Sequence, residues 1–134
     1  MATYNKFNAW AENMVEVANL GTDQFVIALT NTAPTSANSV LADITQISYT
    51  NLSSRNVTTT SSSQTSGTYT LVLADLVLSA TGSVGQFQYV VLYDDTPTSP
   101  ADPLVGWWDY GSSITITNGE TFTVDFTGAA ITLS

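Results

Sequence analysis

The sequence predicts a mainly β fold, with one antiparallel β-sandwich or jelly-roll-like domain spanning residues 1–134 and a single N-terminal α-helix. Three observations predict it. The apolar period shortens from about 3.6 residues to about 2 near Asp23 and stays short to the end. Seven or eight short stretches of alternating character follow, separated by turn signals. Polarity comes from 22 threonines and 15 serines rather than from the 13 charged residues. Hydroxyl side chains solvate a pleated surface without charging it, and threonine favours half-buried strand positions.

The helix is predicted over residues 5–19. Phe7, Trp10, Ala11, Met14 and Ala18 recur at helical offsets and share a face, while Glu12, Asn13 and Glu16 lie off it. Gly21 is the expected stop. So short a helix needs a docking surface, either this chain's own β-core or a neighbouring subunit. From Asp23 the alternation of Phe25, Ile27 and Leu29 with Val26, Ala28 and Thr30 predicts a strand over 23–30. Residues 31–39 read as a loop, and 40–48 as a short helical turn or irregular segment.

Residues 55–82 hold two or three strands. Val57–Ser62 is polar and β-branched, as suits an edge, and Ser66-Gly67 marks a turn. Tyr69–Ala80 is apolar in both alternation phases, which predicts burial on both faces, with Asp75 marking a bend or bulge. After a turn at Gly82–Gly85, a strand over 86–93 sets Phe87, Tyr89, Val91 and Tyr93 on one face. Residues 94–102 are too rich in proline and aspartate for a strand. Strands are predicted over 104–109, 112–117, 120–126 and 130–133, with Asn118-Gly119 as a tight hairpin turn. No fixed-period repeat, linker or second domain is visible.

Composition removes several function classes. Eleven carboxylates against two cations give a net charge of −9, so clustered Lys and Arg for nucleic acid or an anionic membrane are missing. No apolar run approaches the roughly 20 residues of a membrane span. No basic segment followed by an apolar run opens the chain, so no secretion signal is expected. Without cysteine or histidine there is no disulfide, thiolate or zinc pattern, and no base for a serine nucleophile beyond Lys6, the single lysine. No phosphate-binding loop occurs. No catalytic residue, metal ligand or cofactor is therefore assigned, and the chain is read as a non-enzyme.

Two constellations remain. Asp94, Asp95, Asp102 and Asp109, with Glu120 and Asp125 downstream, read as solvated turn-making carboxylates, as a hard-cation site, or as a glycosidase pair. The cation reading lacks the spacing of a calcium loop. Trp107 and Trp108 are adjacent in a predicted strand, so one ring should enter the core and the other face out. Strict alternation puts Val105 in phase with Trp107 and Leu104 in phase with Trp108. The outward ring then meets the helix, a neighbouring subunit or a sugar. Phe7, Trp10, Trp107, Trp108 and Tyr110 are the candidate interface residues.

The segments YNKFNAWAEN, FVIALTNTAP, VLADIT, TSSSQTSGTYTLVLADLVLSATG, QYVVLYDDT and PLVGWWDYGSSITITNGETFTVDF together resemble a family of small tailed-bacteriophage and prophage proteins. The likeness runs from Tyr4 to Phe126 with the blocks in order. It implies a structural virion protein, best fitted by a capsid decoration (cement) protein. Such a protein is β-rich, binds the major capsid protein as a homotrimer on the assembled head, and is made in the bacterial host cytoplasm. A tail or head–tail joining component and a carbohydrate-binding module for host attachment are the alternatives. The resemblance implies no catalytic residues.

Overall fold

A computed structural model describes residues 2–126 and 131–133. The protein is mainly β, with antiparallel sheets and one helix. β1 (Thr3–Lys6), α1 (Trp10–Glu16) and β2 (Phe25–Thr30) come first. A single 3-10 turn at Leu41–Asp43 then leads to β3 (Asn56–Val57), β4 (Thr59–Thr65), β5 (Thr68–Leu73) and β6 (Leu76–Ser79). β7 (Val84–Asp94), β8 (Leu104–Ile116), β9 (Thr121–Val124) and β10 (Ile131–Leu133) complete the described elements. The main sheet has the order β1-β8-β7-β2-β3, and a second layer is formed by β10-β5-β4 and β6-β9.

The main sheet is apolar on both sides, which is why β2 is buried at all six of its positions. On one side Phe25, Ile27, Leu29, Val90, Leu92 and Trp108 meet Leu71, Leu78 and Val124 of the second layer. On the other side Val26, Ala28, Val91, Tyr93 and Leu104 are covered by Phe7 and by Leu41 and Ile44 of the long loop. Two faces must be covered, and the described residues hold one short α-helix. The irregular segment between β2 and β3 supplies the second cover.

The predicted helix over 5–19 is corrected at both ends. Residues 3–6 instead pair antiparallel with β8, Tyr4 opposite Trp108 and Lys6 opposite Gly106. An open edge on β8 offers these residues a ladder of backbone bonds that an isolated helical turn cannot match. Phe7 and Trp10, expected on one helix face, belong to opposite cores, and Ala11 is exposed. The helix stops at Glu16, well short of Gly21, whose φ is not among the positive values.

Tyr69–Ala80 is buried on one face only. β5 and β6 alternate, and Val72 and Val77 stay 39% and 52% exposed on the outer face. Asp75 does break the run, because its Oδ1 accepts the Phe126 N–H at 3.0 Å. The strand expected over 86–93 begins at Val84, and register slips at Gln86 and Gln88 put Phe87 on the core side of Val90 and Leu92, away from Val91 and Tyr93.

The strands predicted over 104–109 and 112–117 are one strand, β8, with an irregularity around Gly111. The hairpin predicted at Asn118-Gly119 is a corner between layers: β9 pairs with β6, while β8 pairs with β1 and β7. A two-residue Asn-Gly hairpin turn needs positive φ at both residues, and only Gly119 has it, at 85°. The turn instead closes through Glu120 N–H to Thr117 O at 2.9 Å and is tied to the residue after β6 by Gly119 N–H to Ala80 O at 2.9 Å. The expected last strand is present as β10, its first predicted residue, 130, lying outside the described residues.

Candidate functional site

The aromatic cluster resolves into two environments. Between β7 and β8, Tyr93 faces Leu104 and Leu92 faces Gly106, leaving Val105 as an inserted residue. This bulge inverts the alternation, so Leu104 and Trp107 share one face while Val105 and Trp108 share the other. The phase predicted from strict alternation is thus corrected. Trp108 is 5% exposed, its ring 5.0 Å from that of Tyr4 and 5.5 Å from that of Phe126. Trp107 is half-buried on the opposite side, 4.6 Å from the Phe7 ring.

Of the five candidate interface residues, Phe7, Trp10 and Trp108 are buried inside the chain and offer no surface to a partner. Trp10 lies edge-on to Phe25 at 6.5 Å. Only Trp107 and Tyr110 keep exposed area, and Tyr110 stacks edgewise on Phe122 at 5.1 Å. Trp108 is therefore excluded as a sugar-stacking platform.

Asp94, Asp95 and Asp102 stay near one another, whereas Asp109 and Glu120 are engaged elsewhere. Asp109 accepts from Gln88 Nε2 at 3.0 Å and from Gly111 N–H at 2.8 Å, which holds its carboxyl below the usual range. Glu120 caps its own turn by accepting from Thr117, with the same downward effect. Asp125 lies near Tyr110 and adds to the rise of its phenol, which is caused mainly by burial. Lys6 is exposed on β1. Among the described residues no group of three or more His, Cys, Asp or Glu side chains is placed to hold a metal ion.

Asp94 departs most from expectation. It is fully buried at the end of β7 rather than solvated in the following loop. Its Oδ1 accepts the Thr96 N–H at 3.3 Å, but no donor among the described residues reaches Oδ2. Its side chain meets that of Asp23, which precedes β2. Burial first, then the contact with Asp23, pushes the Asp94 carboxyl up to about 8. Asp102, half-buried, is raised first by burial and then by Asp95 beside it. Sequence reasoning missed the pair because Asp23 and Asp94 are brought together only when Phe25 lies opposite Asp94 across the sheet.

Two surface features were not predicted. A shallow cleft of about 500 Å³ is lined by Ala18, Asn19, Leu20, Gly21, Ser62 and Tyr69, with Ser62 Oγ 2.7 Å from the Tyr69 hydroxyl. The second is a pair of outward valines, Val72 on β5 and Val77 on β6, in the two separate sheets of the second layer. Between Arg55 and Asp94 the only charged residue is Asp75, and Asp75 is engaged with the Phe126 backbone. Val72 and Val77 therefore stand on a stretch with almost no charge. No helix of the described residues is long and apolar enough to cross a membrane. No family model, curated protein or solved structure matches the chain.

Proposed function

We propose that this chain is a structural virion protein, a capsid decoration (cement) protein that binds the assembled phage head and stabilises it. The observation that carries the reading is the outward pair Val72 on β5 and Val77 on β6, both exposed within a segment nearly free of charge. On a protein of net charge −9, these outward valines offer a partner apolar contact beside few carboxylates, exposed Asp75 lying between them in sequence and Asp125 two residues from Thr123, which pairs with Val77. The likeness of its sequence blocks to small phage proteins supports the same role. The absence of histidine and cysteine leaves little for acid–base or thiol chemistry.

The mechanism is linkage. A protein that binds the assembled shell and not its free subunits stabilises the shell by its binding free energy. Trimeric copies contacting several capsid subunits multiply weak contacts into avidity. Particles lacking the protein should assemble and then open more readily on heating or chelation. The V72D/V77D double variant, changed only at exposed positions, should keep its fold and fail to join heads. Incorporation of that variant at the wild-type level, or absence of the protein from purified particles, would overturn the reading. Copy number from a particle map separates decoration of the whole shell from head–tail joining at one vertex.

A further inference from the structure

We propose that Asp94 and Asp23 share one proton, and that this bridge latches the turn before β2 to the loop after β7. Asp94 is wholly buried and its Oδ2 has no donor among the described residues, a costly state for an ionised carboxylate. The side chain it meets is another carboxyl, that of Asp23. Two carboxylates in contact cannot both ionise cheaply, whereas one proton between them turns repulsion into a charge-assisted hydrogen bond.

The surroundings favour protonation. Asp23 is fixed by its own turn, its Oδ2 accepting the Asn19 N–H at 2.9 Å. The other acidic group acting on Asp94 is Asp95, in the loop that follows, with Asp102 beside Asp95. The nearby cation, Arg55, is committed elsewhere: Nη1 donates to Ile27 O at 2.6 Å, the guanidinium lies 3.7 Å above the Tyr49 ring, and it also bonds Tyr93. The segments carrying the pair already touch through Gln24 N–H to Thr96 Oγ1 at 2.8 Å and Asp95 N–H to Gln24 O at 2.8 Å. The shared proton adds the one side-chain bond that depends on pH.

The direction follows from linkage. The folded carboxyl, at about 8, holds its proton more tightly than the unfolded one, at the ordinary 3.8. The latch therefore contributes fully below about pH 4, weakens as pH climbs, and is gone above about pH 8. Carboxyl carbon NMR on the wild-type protein tests this directly, with D94N used to assign the signal. The Asp94 carboxyl should stay protonated at neutral pH and titrate near 8.

The thermal midpoint of the wild type should fall from about pH 5 to about pH 8, whereas D94N, whose amide donates to Asp23 at every pH, should stay flat. Proteolysis in the 94–102 loop should rise above pH 8 in the wild type alone. An Asp94 carboxyl that titrates in the ordinary carboxylate range would overturn the proposal, whether or not D94N folds. So would a calcium-dependent rise of the wild-type midpoint at pH 8 that D94N abolishes, since the pair would then hold a cation.

Discussion

At the scale of single residues, the two tryptophans separate contact from core. Trp108 fills the space between the layers with Tyr4 and Phe126 against it. Trp108→Ala should cost about 3–5 kcal/mol, the usual range for removing a buried aromatic ring. Trp107→Ala, at a half-buried position on the opposite face, should cost well below that. Denaturant unfolding of both variants measures the difference, and equal losses would contradict the assignment. Alternation along the strand made it legible that neighbouring tryptophans face opposite ways. Which one is inside was not legible, because the extra residue at Val105 inverts the phase and nothing in the composition of Leu104-Val105-Gly106 announces a bulge. The buried Asp94 was hidden for a similar reason. Its sequence neighbours, Asp95 and Thr96 before Pro97, read as loop, and the strand extends one residue further than they predict.

At the scale of elements, the fold is decided by how edges and corners are closed. β3 pairs only the first two residues of β2. Beyond them the exposed backbone of β2 is met by side chains and loop: Arg55 donates to Ile27 O, the Tyr49 hydroxyl accepts the Leu29 N–H at 2.9 Å, and Ile47 N–H donates to Leu29 O at 3.0 Å. Covering an edge with a loop blocks pairing with another chain. Tyr49→Phe removes the acceptor of a buried N–H and should cost about 1–3 kcal/mol by chemical denaturation. A neutral result would show that another acceptor takes its place. Gly85 closes a corner differently. Its φ is +136°, and an added Cβ would stand 2.7 Å from Ile114 O. Gly85→Ala meets both backbone strain and a rigid neighbour, so it should destabilise more than Gly119→Ala, where the turn has positive φ but open space around it. Strand positions were legible from local alternation. Their partners were not, because pairing β9 with β6 rather than with β8 depends on contacts between distant segments. The Asn118-Gly119 signal is equally consistent with a hairpin and with a corner.

At the scale of the whole molecule, charge is the property least compensated by the fold. Eleven carboxylates face two cations, and Arg55 is held against Ile27 O and Tyr49. Asp23, Asp95 and Asp102 gather around the protonated Asp94 at one end of the sandwich, where folding brings like charges closer than they are in the unfolded chain. In water each pair of unit charges about 10 Å apart costs about 0.4 kcal/mol, so several such pairs sum to about 1–2 kcal/mol. The Debye length shrinks from about 30 Å at 0.01 M salt to about 10 Å at 0.1 M, which removes most of that repulsion. The thermal midpoint at neutral pH should therefore rise by several degrees between about 0.01 M and about 0.3 M sodium chloride and then level off. A steady rise without a plateau would point to general salt effects on apolar burial instead. A flat response would refute the view that self-repulsion limits stability. Neutralising Asp95 with D95N should flatten the salt dependence in the same way, and should do so without the change in pH profile expected of D94N. The same repulsion explains why a contact surface on this protein would lie where the chain carries almost no charge, between Arg55 and Asp94. On the proposed decoration role, burying Val72 and Val77 against the head should show weak salt dependence, in contrast to the stability of the free chain.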